Sequence, residues 1–355
     1  MKEWIKRKGG YALSLAASIG LALLLGAVIM LLNGQNPLHG YGALVYGAFG
    51  TKYNMATTLV KTVPLILTGL ATAIAFMSGI YNIGGEGQLY LGAFAAAYVG
   101  FTFTDLPAFV AVILAVLASM AVGGLYAYFP GVLKVHFKID EVITTIMLNS
   151  VAILFAGYLV NYPFRSSQGS MGGTDMIAEG YKFQNLIPLS KLNTSIFYTI
   201  FIAFLMYYLI KRTSFGYNFK VVGANSIFAK YGGINNKKYM LVAMMISGAL
   251  CGIAGAFEVY GIHYRFLQNI SKGLAFDGML IALIVKNSPI GIVFMSIFFA
   301  MLKTGSTSME VTTGVPSELV LVIQSVIILF IAGENGLREI LTRKKLTSRK
   351  KVKQI

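Results

Sequence analysis

Residues 11–32 hold 22 consecutive uncharged, mostly apolar positions, enough to cross a bilayer core, which takes roughly 20 residues of helix. Comparable runs recur at 55–77, 88–103, 107–129, 142–160, 195–210, 239–260, 276–285, 290–302 and 319–332. A soluble body cannot hide so many, because its surface needs about a quarter of its residues charged. Here 12% are charged and 56% hydrophobic. The chain is therefore expected to be all-α and polytopic: one membrane domain over residues 1–355, a bundle of about ten transmembrane helices, some of them interrupted. The run at 11–32 is longer than a signal-peptide core and shows no small-residue cleavage site, so it reads as a retained first helix. Within the outside connection at 33–54, residues 41–49 (YGALVYGAF) suit a short helix lying in the membrane interface. The single cysteine, Cys251, excludes a disulfide framework or a thiolate metal cage.

The net charge of +16 is unevenly placed. Of 29 Lys and Arg, twenty fall in four groups: residues 2–8, Lys134 with Lys138, residues 211–238, and the tail from Arg338. Basic residues collect in cytoplasmic loops, and ten crossings put all four groups on one side. Residues 1–10 and the basic tail at 338–355 are thus expected on the cytoplasmic side of the membrane that holds the protein. Topology and attraction to anionic lipid explain the tail; no aromatic residues interleave the charges, so nucleic acid is not an expected partner.

Catalytic signals are missing from the sequence. There is no phosphate-cradling GxxxxGK[ST] loop, His39, His136 and His263 stand far apart, and no nucleophile–base pair stands out, so neither an enzyme nor a metal site is expected. The glycines of residues 118–124 (ASMAVGG) and 248–255 (GALCGIAG) suit close helix packing, since small residues let helices in lipid approach.

Two stretches carry more. In residues 78–91 (SGIYNIGGEGQLYL), Gly79, Gly84, Gly85 and Gly87 each cost roughly 1 kcal/mol in a helix interior, which disfavours a continuous helix. Interrupted helices build transport pathways, and Glu86 is expensive to bury unpaired. Asn82, Glu86, Gln88 and, farther on, Asn149 are the candidate substrate-pathway residues; a solvated cytoplasmic turn is the plainer alternative. Lys61 is expected to snorkel to the interface, Glu258 stands between surface and bundle interior, and Asp140-Glu141 should favour a helix N-terminus. Residues 211–238 form the longest inside loop, with a short amphipathic helix expected at 217–231, ended by Gly232-Gly233, as a docking surface for a partner.

At these places the sequence resembles a known family. NIGGEGQ (82–88), DEVITTIMLN (140–149), VVGANSIFAKYGGIN (221–235) and FDGMLIALIVKNSPIG (276–291) are similar to permease subunits of bacterial ATP-binding-cassette importers. The branch is that of nucleoside and simple-sugar uptake, related to ribose-type and branched-chain amino-acid permeases. The resemblance runs from about residue 60 to 337 and implies the importer permease fold. It also implies three partners: an ATPase subunit that uses the ATP and Mg, a second and related permease chain, and an extracytoplasmic substrate-binding lipoprotein. The chain itself then needs no cofactor. Gly223, Ala224, Asn225, Ala229 and Gly232 match the loop that couples to the ATPase. The expected function is the translocation pathway for a nucleoside, with a simple sugar as the alternative solute. An ion-coupled secondary transporter is the rival of another class; it would work without ATP.

Overall fold

The computed structural model describes residues 19–166, 172–326 and 329. The first part of the 11–32 run, the end of the 319–332 run and both tails lie outside the described residues. The helices include α1 Ile19–Leu32, α2 Pro37–Phe49, α3 Lys52–Met77, α4 Gly85–Thr102, α5 Ala108–Phe137, α6 Glu141–Asn161, α7 Ser195–Arg212, α8 Ser214–Ala224, α9 Ser226–Tyr231, α10 Asn236–Glu258, α11 Leu274–Ile284 and α12 Pro289–Thr313. A π-helical turn, Val259–His263, continues α10. Among the described residues there are only isolated bridges and no strand. Among the described residues six helices are long and apolar enough to cross a membrane (α3, α5, α6, α7, α10 with its π turn, and α12), against about ten crossings expected for the whole chain.

The chain forms two compact units, Lys52–Ala300 and Met1–Thr51 with Met301–Ile355. In the larger unit α3 is buried along most of its length, while α5, α6 and α7 bury only about a quarter of theirs. Ile143, Met147, Leu154 and Phe155 of α6 are exposed apolar side chains, as expected of a helix that faces lipid or another apolar chain. In the smaller unit, the Tyr41 hydroxyl of α2 donates to Leu23 O of α1 at 2.6 Å, and Gly305 of α12 lies against Leu44 O.

Small residues seat α10 against its neighbours, as expected of the two glycine stretches. A Cβ on Gly248 would fall within 3.0 Å of Gly123 O in α5, and one on Gly252 within 3.0 Å of Ser119 O. On the α4 side, a Cβ on Gly255 would meet Leu89 O as closely. In each case the obstacle is backbone.

Several expected boundaries shift. α5 does not stop at residue 129 but passes through Pro130 to Phe137, since neighbours in a bundle absorb the hydrogen bond that proline removes. α12 runs to Thr313 rather than 302, with Lys303 inside it; the Thr312 and Thr313 hydroxyls donate back to Ser308 O and Met309 O at 2.7 Å, which keeps a polar end helical. The expected helix at 217–231 is two helices, because Asn225 is extended (φ −158°) and its side chain caps α9 through Phe228 N. Asp140 caps α6 as expected, accepting from Val142 N and Ile143 N at 2.9 and 3.1 Å. Glu141 instead is buried and pairs with Lys134 at 2.5 Å.

Candidate functional site

α3 ends where Gly79 turns left-handed (φ +72°) and Ile80 N reaches back to Ala75 O, a glycine-terminated C-cap. Non-helical backbone follows to Gly84, and α4 begins at Gly85. Gly79 and Gly84 thus belong to the break. Gly85 and Gly87, counted beforehand as further breakers, lie inside α4. They are small for a different reason: a Cβ on Gly87 would lie 2.8 Å from the Cβ of Ala152 in α6, and one on Gly85 would lie 3.1 Å from Cys251 Sγ in α10.

The break is held by side chains from α4, α6 and α10. Asn82 and Gln88 exchange hydrogen bonds, Nδ2 to Oε1 at 2.9 Å and Nε2 to Oδ1 at 3.0 Å. Asn82 Nδ2 also donates to Ser247 Oγ of α10 at 2.8 Å, and Asn82 Oδ1 accepts from Gly84 N. From α6, Asn149 Oδ1 accepts from Gly87 N at 2.7 Å while its Nδ2 donates to Ile83 O at 2.8 Å. Thr145 Oγ1 accepts from Ile83 N. Buried backbone groups outside a regular helix need such partners.

Glu86 is not solvated; it is 4% exposed. Its Oε1 accepts from Ser271 Oγ at 2.5 Å and Gly273 N at 3.0 Å, and its Oε2 from Ala275 N at 3.0 Å. The carboxylate thus sits on the first turn of α11, where free N–H groups and the helix dipole favour negative charge. A buried carboxylate is otherwise costly, so this helix end is what makes Glu86 tolerable. The four motif-derived residues come together around one element, the start of α4, and their polar groups are engaged within the chain. Asn149→Ala leaves Gly87 N–H and Ile83 C=O without these partners, and is expected to cost about 2 kcal/mol. A lowered thermal midpoint of the purified protein in detergent checks this; an unchanged midpoint would contradict the arrangement.

The loop residues are dispersed differently. Gly223, at the end of α8, packs on the α3–α4 turn: a Cβ there would come within 3.0 Å of Met77 O and Gly79 N. Ala224 ends α8, Asn225 caps α9, Ala229 is buried, and Gly232 ends α9. The outward face of α9 is made instead by Ile227, Phe228 and Tyr231, which are 68%, 64% and 89% exposed. These three were missed by a reading that looked for small residues; an apolar group unpaired with any long run was the available signal. Lys220 Nζ donates to Ile210 O at 2.6 Å, and burial, followed by the nearby Lys211, lowers its pKa from the ordinary lysine value. Lys61 and Glu258 lie in the first half of α3 and at the end of α10.

Comparison with known proteins gives a consistent set of relatives. A family model described as branched-chain amino acid transport system / permease component matches residues 54–332. The chain is 36% identical over 344 residues to the guanosine ABC transporter permease protein NupP of Bacillus subtilis, covering 96% of this chain and 98% of that one. It is 34% identical to the nucleoside ABC transporter permease protein NupB of Lactococcus lactis, covering 89% of each. It is 30% identical to the glucose ABC transporter permease protein TsgB13 of Haloferax volcanii, covering 87% of this chain and 84% of that one.

Proposed function

The chain belongs to the permease-component family of branched-chain amino acid transport systems, and we propose that it is the membrane-spanning subunit of an ATP-driven importer of nucleosides. The observation that carries this reading is the 36% identity, across 96% of the chain, to a guanosine ABC transporter permease protein. The missing phosphate-binding loop fits a division of labour in which a separate ATPase subunit uses ATP and Mg. α8 and α9 are the proposed docking element for that ATPase. Gly223 lies directly on the α3–α4 turn, so a push on α8 reaches the start of α4 through backbone contact rather than through flexible side chains. Asn82, Glu86, Gln88 and Asn149 are proposed to serve the pathway by holding that start in place.

The remaining assembly follows the same reading. A second, related permease chain would complete the pathway, and an extracytoplasmic lipoprotein would deliver the solute. Both termini would lie in the cytoplasm of a bacterial cell, as the basic groups favour. Proteoliposomes containing the chain with its ATPase, second permease and binding protein should accumulate labelled guanosine only with ATP. The chain alone should accumulate none. ATP-independent accumulation by the chain alone would instead identify a secondary transporter.

A further inference from the structure

At the end of α3 remote from Gly223 there is a cavity of about 390 Å³, within the 300–1,000 Å³ typical of small-molecule sites. Tyr53, Thr57 and Lys61 of α3, Lys191 of the loop that precedes α7, Glu258 of α10 and Ile262 of the π turn border it. None of them belongs to the break at residues 78–91 or to the loop at 211–238. All lie within the larger unit.

The charges around this space restrict what it can hold. Glu258 is 6% exposed, and its Oε2 lies 3.5 Å from His263 Nε2. A carboxylate so placed favours a ligand that donates hydrogen bonds. Lys61 and Lys191 border the same cavity; the Lys191 ammonium lies over the Tyr264 ring, 4.3 Å from its centroid, and both lysines bring positive charge and N–H donors to the wall. An anion would meet the Glu258 carboxylate and a cation would meet the two lysines. A neutral solute with hydroxyl donors at one end and carbonyl or ring-nitrogen acceptors at the other satisfies both signs. Tyr53 and Ile262 add a flat and an apolar wall, suited to an aromatic ring.

We propose that this cavity is a nucleoside-binding site, in which Glu258 accepts from the ribose hydroxyls, Lys61 or Lys191 donates to the base, and the base lies against Tyr53 and Ile262. The proposal rests on the nucleoside reading above and adds where the solute is held. The native cysteine, Cys251, is buried, so an introduced thiol can be followed by maleimide labelling. In the assembled complex, guanosine at about ten times its Kd should slow labelling of Thr57→Cys about tenfold. It should leave Asp105→Cys in the exposed α4–α5 loop unaffected, and 2′,3′-dideoxyguanosine should protect far less. Glu258→Gln should raise the KM for guanosine uptake about tenfold, the equivalent of one lost charged hydrogen bond, with little change in maximal rate.

Guanosine uptake by the wild-type complex without protection of Thr57→Cys overturns the site, whether or not Glu258→Gln assembles. An unchanged KM in an assembled Glu258→Gln complex does the same. Protection by glucose in place of guanosine overturns the solute class. A wild-type complex that takes up no guanosine overturns the transport reading itself.

Discussion

Replacing Gly252 with leucine is expected to prevent the chain from accumulating in folded form. A Cβ at this position already falls within 3.0 Å of Ser119 O, and the remainder of the side chain has to enter the same seam between α5 and α10. Overpacking typically costs about 1–3 kcal/mol and occasionally more. Backbone against backbone cannot be relieved by a rotamer change, so the upper end applies. That is a large share of a total stability of roughly 5–15 kcal/mol. Gly42→Ala in α2 is the contrasting substitution, because nothing stands within 4 Å of a Cβ there. It should leave stability unchanged or raise it by up to about 1 kcal/mol, since alanine loses less conformational freedom in a helix. Size-exclusion profiles in mild detergent separate the two. A monodisperse Gly252→Leu peak at wild-type yield would show that α5 and α10 do not approach as described.

Glu86→Ala is expected to be the most damaging of the polar substitutions. It leaves Ser271 Oγ, Gly273 N and Ala275 N without their shared acceptor, at about 1 kcal/mol or more for each buried donor. The expected loss is about 3 kcal/mol or more, and α4 loses its tie to α11. Glu86→Gln keeps one acceptor oxygen but turns an amide against an N–H donor, so it should fall between the wild type and alanine. Both should lower the thermal midpoint and the maximal uptake rate of the assembled complex, while the KM for guanosine stays near the wild-type value. A raised KM at unchanged midpoint would make Glu86 a solute contact instead of a positioning group.

Glu86 also marks how far local sequence carries. Four glycines and one carboxylate in residues 78–91 announce irregular backbone at a costly place, and the break after Met77 is there. The partner of Glu86 is not announced, because Gly273 and Ala275 lie almost two hundred positions later and act through main-chain N–H groups that every residue except proline possesses. Asn149 shows the same limit: its helix follows from apolar length, but its two bonds to Ile83 and Gly87 depend on where α6 crosses α4. In residues 217–231 the local reading went astray. Asn225 reads equally well as one polar position of an amphipathic helix or as a cap, and only its extended backbone distinguishes them. Glu258 and Lys61 looked like unrelated charges near helix ends, since a cavity wall assembled from two helices and a loop has no sequence period.

Membrane residence, helical class and the fitness of residues 118–124 and 248–255 for close packing follow from the sequence itself. Hydropathy, charge and residue size act position by position, and each is complete in the side chain that carries it. The clasp of Glu86 on α11, the division of the 211–238 loop into two helices and the mixed-charge cavity beside Glu258 were decided by tertiary structure. Each depends on donors and acceptors brought together from distant segments, and hydrogen bonding acts over about 3 Å, a separation that only packing can set.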